Sequence, residues 1–166
     1  MFTKLAVIAT LIFIATPAAG HTEPAPKPFV IGKINVADNL IRESKRSKLQ
    51  TSVTKAIERV HKTRYVFTGS TPAGWDCSGL VRWVYKQAGV VLPHSADKQA
   101  HKGTRVSKPQ RGDIVAFAYK GSTDFYHVAI YLNSGLILHA DRSTGRTVIE
   151  PLSNFESSQI RFIRVL

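Results

Sequence analysis

The 166-residue sequence predicts an α+β domain in which helices come first and an antiparallel sheet follows. In residues 47–62 and 80–88, apolar side chains recur at helical spacing. After residue 110 the pattern changes to short apolar or alternating runs separated by turns rich in Gly, Asn and Ser, which is typical of strands. The helices are therefore expected to pack on a sheet of about five strands.

The first twenty residues have the composition of a secretory signal peptide. Lys4 provides a positive start, residues 5–15 are almost wholly apolar, and small residues lead up to Gly20. The apolar run is shorter than the ~20 residues that a spanning helix needs. We expect cleavage after Gly20, no membrane span in the mature chain, and a secreted, periplasmic or wall location. A retained N-terminal anchor is the alternative.

Residues 21–46 are predicted to form a linker or an arm. Three prolines within residues 21–28 favour a stiff, extended chain. A basic cluster that begins at Arg42 indicates a solvated loop or helix start. Residues 47–166 are expected to form one monomeric domain with its own core.

The charge of the chain favours a polyanionic partner. Its 23 Lys and Arg residues exceed its 11 Asp and Glu residues, which gives a formal net charge of +12. Nucleic acid, anionic lipid and the anionic polymers of a bacterial wall all fit such a surface. Export favours the wall over nucleic acid, and a basic surface that serves only solubility is the alternative.

Cys77 is the single cysteine, and it stands where a helix is predicted to begin. A loop over residues 69–74 that contains Gly and Pro leads into it, and the amphipathic run 80–88 that follows stops at Gly89. Unpaired N–H groups and the helix dipole favour a thiolate at such a position. Cys77 is therefore a candidate nucleophile, and a small buried packing residue is the alternative.

Two histidines on predicted strands are candidates for the base that a cysteine nucleophile needs. A three-residue loop at 133–135 sets Ala129 opposite His139 in the hairpin. Side chains alternate along strands, so His127 and His139 share a face as diagonal neighbours, about 7 Å apart.

This register suggests a division of roles. His127 would accept the proton of Cys77, and His139 would orient the His127 ring. Asp141, directly opposite His127, is the alternative orienting residue. The face that carries the histidines must then pack on the N-terminal end of the cysteine helix.

Cofactor chemistry is not expected. The Cys and His residues lack the closely spaced pairs of a zinc site, and no glycine-rich phosphate loop joins a strand to a helix. We therefore predict neither a metal nor a nucleotide.

The ordered motifs from residue 47 to residue 166 resemble the NlpC/P60 family of papain-like cysteine peptidases. The matching pieces are Tyr65, Asp-Cys-Ser-Gly-Leu-Val at 76–81, Leu-Pro-His-Ser at 92–95, Arg-Gly-Asp-Ile-Val at 111–115, His-Val-Ala-Ile-Tyr-Leu at 127–132 and Leu-His-Ala at 138–140. The resemblance implies a papain-like fold. It also implies hydrolysis of peptidoglycan stem peptides, usually at the γ-D-glutamyl–diaminopimelate bond.

By position, the resemblance implies that Cys77 is the nucleophile, His127 the base and His139 the third polar residue. An amidase or acyltransferase on the same scaffold is an alternative. A non-catalytic wall-binding or phage virion module is another.

Three further residues match positions that line the site in this family. Tyr65 matches a tyrosine that helps to stabilise the oxyanion, and packing beside the core is its alternative role. Asp76 and Ser78 match residues that contact the amino end of the substrate. A cap on the cysteine helix is the alternative role for Asp76.

Overall fold

A computed structural model describes residues 35–166. The predicted signal peptide and the proline-containing residues 21–28 lie outside the described residues. The helices are α1 (Val36–Ile57), α2 (Cys77–Gln87) and α3 (Ala96–Ala100), with a 3₁₀ helix at Leu152–Phe155. The strands are β1 (Ser70–Thr71), β2 (Gly74–Trp75), β3 (Thr104–Val106), β4 (Ile114–Tyr119), β5 (Phe125–Tyr131), β6 (Leu136–Asp141), β7 (Arg146–Pro151) and β8 (Ser158–Arg164).

Strands β3 to β8 form one antiparallel sheet in the order β3-β8-β4-β5-β6-β7. The predicted α+β class is confirmed, and the five predicted strands correspond to β4–β8. Strand β3 is a sixth, which pairs Arg105 with Ile163 at the edge of the sheet. Only three residues long and largely exposed, β3 has too little apolar alternation to be recognised in the sequence.

Helix α1 begins at Val36 and not at residue 47, so it includes residues 36–46. The sequence predicts a linker or an arm there, with a loop or a helix start only from Arg42. The side chain of Asn35 caps the helix, because its Oδ1 atom accepts a hydrogen bond from the backbone N–H of Ala37 at 3.0 Å. The first turns have no buried face, and Leu40 remains 65% exposed. Because periodicity detects only a helix with a buried stripe, the exposed part of α1 gave no signal.

The sheet separates two apolar clusters. Helix α2 packs on one face, where Leu80 and Val84 belong to the same cluster as Val128. The smaller cluster on the other face contains Ala129 and Ile137. His127 and His139 follow the same alternation as Ala129 and Ile137, so they lie on the face opposite the α2 core. The body of α2 thus packs on the face opposite the histidines, and only its N-terminal end, with Cys77, lines the same cleft as they do.

Gly79, in the first turn of α2, lies against the loop that precedes the helix. A Cβ atom at Gly79 would come within 1.9 Å of the carbonyl oxygen of Gly69. We expect Gly79→Ala to lower the free energy of unfolding by about 3 kcal/mol, because backbone must move to admit the methyl group. Urea unfolding followed by circular dichroism measures the change.

Gly121→Ala is the matched control for this substitution. Gly121 has a φ of +82° and no neighbour within 4 Å of a built Cβ, so alanine there tests backbone strain alone. If Gly79→Ala were no more destabilising than Gly121→Ala, the close approach of the loop to α2 would be contradicted.

Candidate active site

The β5–β6 hairpin has the predicted register, in which Ile130 pairs with Leu138. This register makes His127 and His139 diagonal neighbours across the two strands. The rings are in contact, with Nε2 of His127 3.0 Å from Nδ1 of His139, and their planes are nearly perpendicular at 86°. Sequence alternation alone therefore located this histidine pair.

The ladder between β5 and β6 ends at the Ile130–Leu138 pair, short of the histidines. The next N–H of β5 directed towards β6 is that of Val128, and it lies close enough to the sulfur of Cys77 to lower the pKa of the thiol. The strands therefore separate where the first turn of α2 meets them. This opening brings Cys77 beside the backbone of His127, although α2 and the imidazoles lie on opposite faces.

Cys77 and both histidines line one cleft of about 990 Å³. The site residues predicted from the sequence all line this cleft, namely Tyr65, Asp76, Cys77, Ser78, His127 and His139, together with the alternative orienting residue Asp141. Tyr65 is held by its backbone N–H, which donates to the carbonyl oxygen of Gly145 at 2.8 Å. Burial raises the pKa of Tyr65, and the nearby Cys77 and Asp76 raise it further. Its hydroxyl therefore stays protonated and able to donate.

Asp76 is the N-cap of α2, which confirms the capping role that the sequence left as an alternative. Its carboxylate accepts the N–H of Gly79 at 2.7 Å, the hydroxyl of Ser78 at 2.9 Å and the N–H of Thr68 at 2.9 Å. Nε2 of His94 lies 3.0 Å from the same carboxylate. One buried side chain thus fixes the loop before α2 and the first turn of the helix together.

The environment of Cys77 raises the pKa of its thiol. Burial is the main cause, and the charge of Asp76 acts in the same direction. Hydrogen bonds from the backbone N–H groups of Val128 and Ser78 oppose the shift without reversing it. The expectation that the helix start would favour a thiolate is therefore wrong, because loss of solvent outweighs the donors at the helix terminus.

The pKa of His127 is shifted in the opposite direction to that of Cys77. Burial, reinforced by His139, lowers the pKa of His127 to about 3, while the charges of Asp141 and Asp76 oppose the shift. Burial also lowers the pKa of His139. At neutral pH the site therefore holds a neutral thiol and neutral imidazoles. Proton transfer from Cys77 to His127 would accompany nucleophilic attack instead of preceding it.

This charge state predicts slow alkylation of Cys77 at neutral pH. Because only the thiolate reacts and its pKa is raised, the rate of iodoacetamide labelling should keep rising with pH beyond the range of an ordinary cysteine. Rates measured by mass spectrometry from pH 6 to pH 10 test this. The same protein unfolded in urea is the control, and a folded-state profile that levels off at lower pH than the unfolded one would contradict the raised pKa.

The two residues between which the sequence left the orienting role open differ in their contacts. Asp141 is partly buried, which raises its pKa, but hydrogen bonds from Ser143 and Thr144 outweigh this and lower the pKa of Asp141 to about 2. Its carboxylate thus serves the β6–β7 turn. The ring that contacts His127 is that of His139.

Two residues near the histidines were missed by sequence reasoning. Phe155, on the 3₁₀ helix, is parallel to the His127 ring, with 6.2 Å between ring centroids. Glu150, on β7, places Oε1 2.6 Å from Nε2 of His139. Glu150 pairs with Ile137, so it is a diagonal neighbour of His139. The same side-chain alternation, applied across β6 and β7, places Glu150 next to His139.

Within residues 35–166, no three His, Cys, Asp or Glu side chains are grouped so as to hold a metal ion. None of the helices in that part of the chain combines the length and apolarity that a bilayer span requires.

The model of the NlpC/P60 family matches residues 62–164. The chain belongs to the NlpC/P60 family. A gamma-DL-glutamyl hydrolase of Bacillus subtilis is 38% identical to this chain over 117 residues. The match covers 68% of this chain and 28% of the relative. A gamma-D-glutamyl-L-lysine dipeptidyl-peptidase of Bacillus cereus is 34% identical over 92 residues, which cover 54% of this chain and 28% of the relative.

Among solved structures, the peptidoglycan hydrolase RipB of Mycobacterium tuberculosis is similar, with a TM-score of 0.65 and 25% sequence identity. The match covers 75% of this chain and 68% of RipB. This confirms the papain-like α+β fold of the NlpC/P60 domain. The chain spans 28% of the length of each of the two curated relatives.

Proposed function

We propose that the protein hydrolyses a peptide bond in the stem peptides of bacterial peptidoglycan, through an acyl-enzyme on Cys77 with His127 as base. The observation that carries the proposal is the opening between β5 and β6. There the sulfur of Cys77 lies close to the N–H of Val128, the residue after His127, and Nδ1 of His139 lies 3.0 Å from Nε2 of His127. A nucleophile, a base and an orienting group thus share one cleft.

The proposed reaction starts from a neutral thiol on Cys77 and a neutral imidazole on His127. The sulfur of Cys77 attacks the scissile carbonyl carbon while His127 takes the thiol proton. His127 then gives this proton to the leaving amine as the C–N bond breaks, which leaves a thioester. A water molecule, deprotonated by His127, attacks the thioester and releases a carboxylic acid and the free thiol.

Two donors are placed to stabilise the oxyanion of the tetrahedral intermediates. The N–H of Cys77 belongs to the first turn of α2, where a helix supplies no carbonyl partner for it. The hydroxyl of Tyr65 lines the same cleft. Preorganised donors of this kind contribute by meeting charge that develops only during the reaction.

We propose the γ-D-glutamyl–diaminopimelate bond as the target. The names of the two Bacillus relatives support cleavage beside a γ-linked glutamyl residue. In this proposal Asp76 and Ser78 bind the amino end of the stem peptide. Both line the cleft next to Cys77, and the Asp76 carboxylate supplies a negative charge that would attract an ammonium group.

Export and wall binding complete the proposal. The N-terminal residues read as a signal peptide, which would deliver a monomeric protein to the periplasm, the wall or the medium. The formal charge of +12 falls to +11 when Lys4 is removed with the signal peptide, and this charge would hold the protein on anionic wall polymers and on peptidoglycan itself.

Digestion of purified sacculi tests the function, with Cys77→Ala as the blank. Mass spectrometry should find fragments that end in a free γ-carboxyl on glutamate and fragments that begin with diaminopimelate, together heavier than the parent by one water. Glycan freed of whole stem peptides would instead indicate an amidase, and products joined to a second amine would indicate an acyltransferase. Binding of sacculi without any release would favour the non-catalytic module.

A further inference from the structure

Glu150 ends a line of hydrogen-bonded groups that begins at His127. Nε2 of His127 lies 3.0 Å from Nδ1 of His139, and Nε2 of His139 lies 2.6 Å from Oε1 of Glu150. The other oxygen of Glu150 accepts a hydrogen bond from Nδ2 of Asn154 at 2.7 Å. The His139 side chain is only 2% exposed, so water has little access to its ring.

The donor and acceptor capacities along this line fix where the protons are. A carboxylate only accepts, so the Nε2 atom of His139 must carry a proton. In a neutral ring the Nδ1 atom of His139 is then bare, that is, unprotonated, and it accepts a hydrogen bond. Its partner, the Nε2 atom of His127, must therefore carry a proton. The Nδ1 atom of His127 is consequently bare. It is the only ring nitrogen of His127 left to take the proton of Cys77.

We propose that Glu150 is a positioning residue that sets the tautomers of both imidazoles, so that His127 presents a bare Nδ1 atom to the thiol. The inference rests on the proposed function only in giving that bare nitrogen a use, since the proton order itself is a property of the resting protein. Glu150 acts through His139 and has no contact with the reacting atoms.

Replacing the carboxylate of Glu150 by an amide removes the constraint on which ring nitrogens carry protons. In Glu150→Gln the side chain can donate to Nε2 of His139 as well as accept from it. The reversed order then becomes available, with protons on Nδ1 of both rings and no acceptor facing Cys77. Side-chain size and most packing stay the same, so the substitution isolates the proton order.

The first test is long-range ¹H–¹⁵N NMR of the unmodified protein at neutral pH, which distinguishes protonated from bare ring nitrogens. The proposal expects both His127 and His139 to carry their protons on Nε2. A wild-type spectrum with the proton of His127 on Nδ1 would overturn it. This readout needs no substrate, so it remains decisive even if the proposed peptidase activity fails.

The second test compares Glu150→Gln with Glu156→Gln, which removes the same charge from an exposed residue six positions along the chain. We expect Glu150→Gln to lower kcat on stem peptides at least tenfold, with KM unchanged, because groups that orient a catalytic histidine act on the chemical step. Its NMR spectrum should show Nδ1 protonation at His127. Wild-type kcat and wild-type tautomers in Glu150→Gln would overturn the proposal.

Asn154→Ala covers the case in which Glu150→Gln fails to fold. This change removes only the hydrogen bond to the outer oxygen of Glu150. Without this bond the carboxylate can turn away from His139 in part of the molecules, and nothing then holds the proton on Nε2 of His139. A minor population of the reversed tautomers should therefore appear, and kcat should fall less than in Glu150→Gln. A spectrum and a kcat equal to those of the wild type would count against a role for this line of contacts.

Discussion

Cys77→Ser is expected to abolish peptide hydrolysis, lowering kcat by on the order of 10⁴- to 10⁶-fold. An alcohol loses its proton far less readily than a thiol does. The adjacent base, His127, has a pKa that burial and His139 lower to about 3, so it is too weak to generate an alkoxide. Chromatographic measurement of product from a defined stem peptide, under single-turnover conditions, gives the rate.

The single cysteine of the chain supplies a chemical control for this substitution. Iodoacetamide should modify one site per molecule, and activity should fall in proportion to labelling. The Cys77→Ser protein should keep the thermal midpoint of the wild type, which separates loss of the nucleophile from loss of the fold. Activity above one per cent of the wild type in a serine variant free of contamination would exclude an acyl-enzyme on Cys77.

The parts of the site that could be predicted from the sequence are those set by local geometry. The length of the 133–135 loop and strict side-chain alternation fix the β5–β6 register, and that register pairs His127 with His139. The start of α2 at Cys77 follows from a helical pattern preceded by a capping residue, Asp76. Each of these features depends on fewer than about twenty consecutive residues, within which pattern and structure are directly linked.

The features that could not be predicted depend on how distant segments meet. Nothing in the sequence of β5 shows that its ladder with β6 ends before Val128, because the cause is the arrival of α2 from a different part of the chain. The raised pKa of Cys77 has the same origin, since burial is a property of the assembled fold. The start of α1 at Val36 could not be predicted for a different reason. The first turns of the helix are exposed, so no packing contact imposes an apolar periodicity on their sequence.

His127→Gln is the second substitution for which a large loss is expected, of about 10³-fold in kcat. Glutamine can replace a hydrogen bond but cannot accept and return a proton. The raised pKa of Cys77 leaves little thiolate at neutral pH to react without a base, so the loss falls on formation of the acyl-enzyme. Burst kinetics with an activated ester substrate should show that the acylation phase is slowed.

The pH dependence provides an independent check of the role of His127. Protonation of His127 removes the base, so activity is lost as the pH falls through its pKa. Because burial and His139 lower that pKa, while Asp141 and Asp76 oppose them only in part, the acid limb of kcat/KM should lie well below the ordinary histidine value of 6.5. His127→Gln should lack this limb.

A matched substitution separates the role of His127 from a general effect of losing an imidazole. His101→Gln changes a histidine whose side chain is 52% exposed and whose ring contacts Asp97 and Phe125 instead of the cleft residues. It should retain wild-type kcat and the wild-type acid limb. If His127→Gln kept both as well, the proton of Cys77 would have to leave by another route, and the pairing of thiol and imidazole at the β5–β6 opening would have no part in the chemistry.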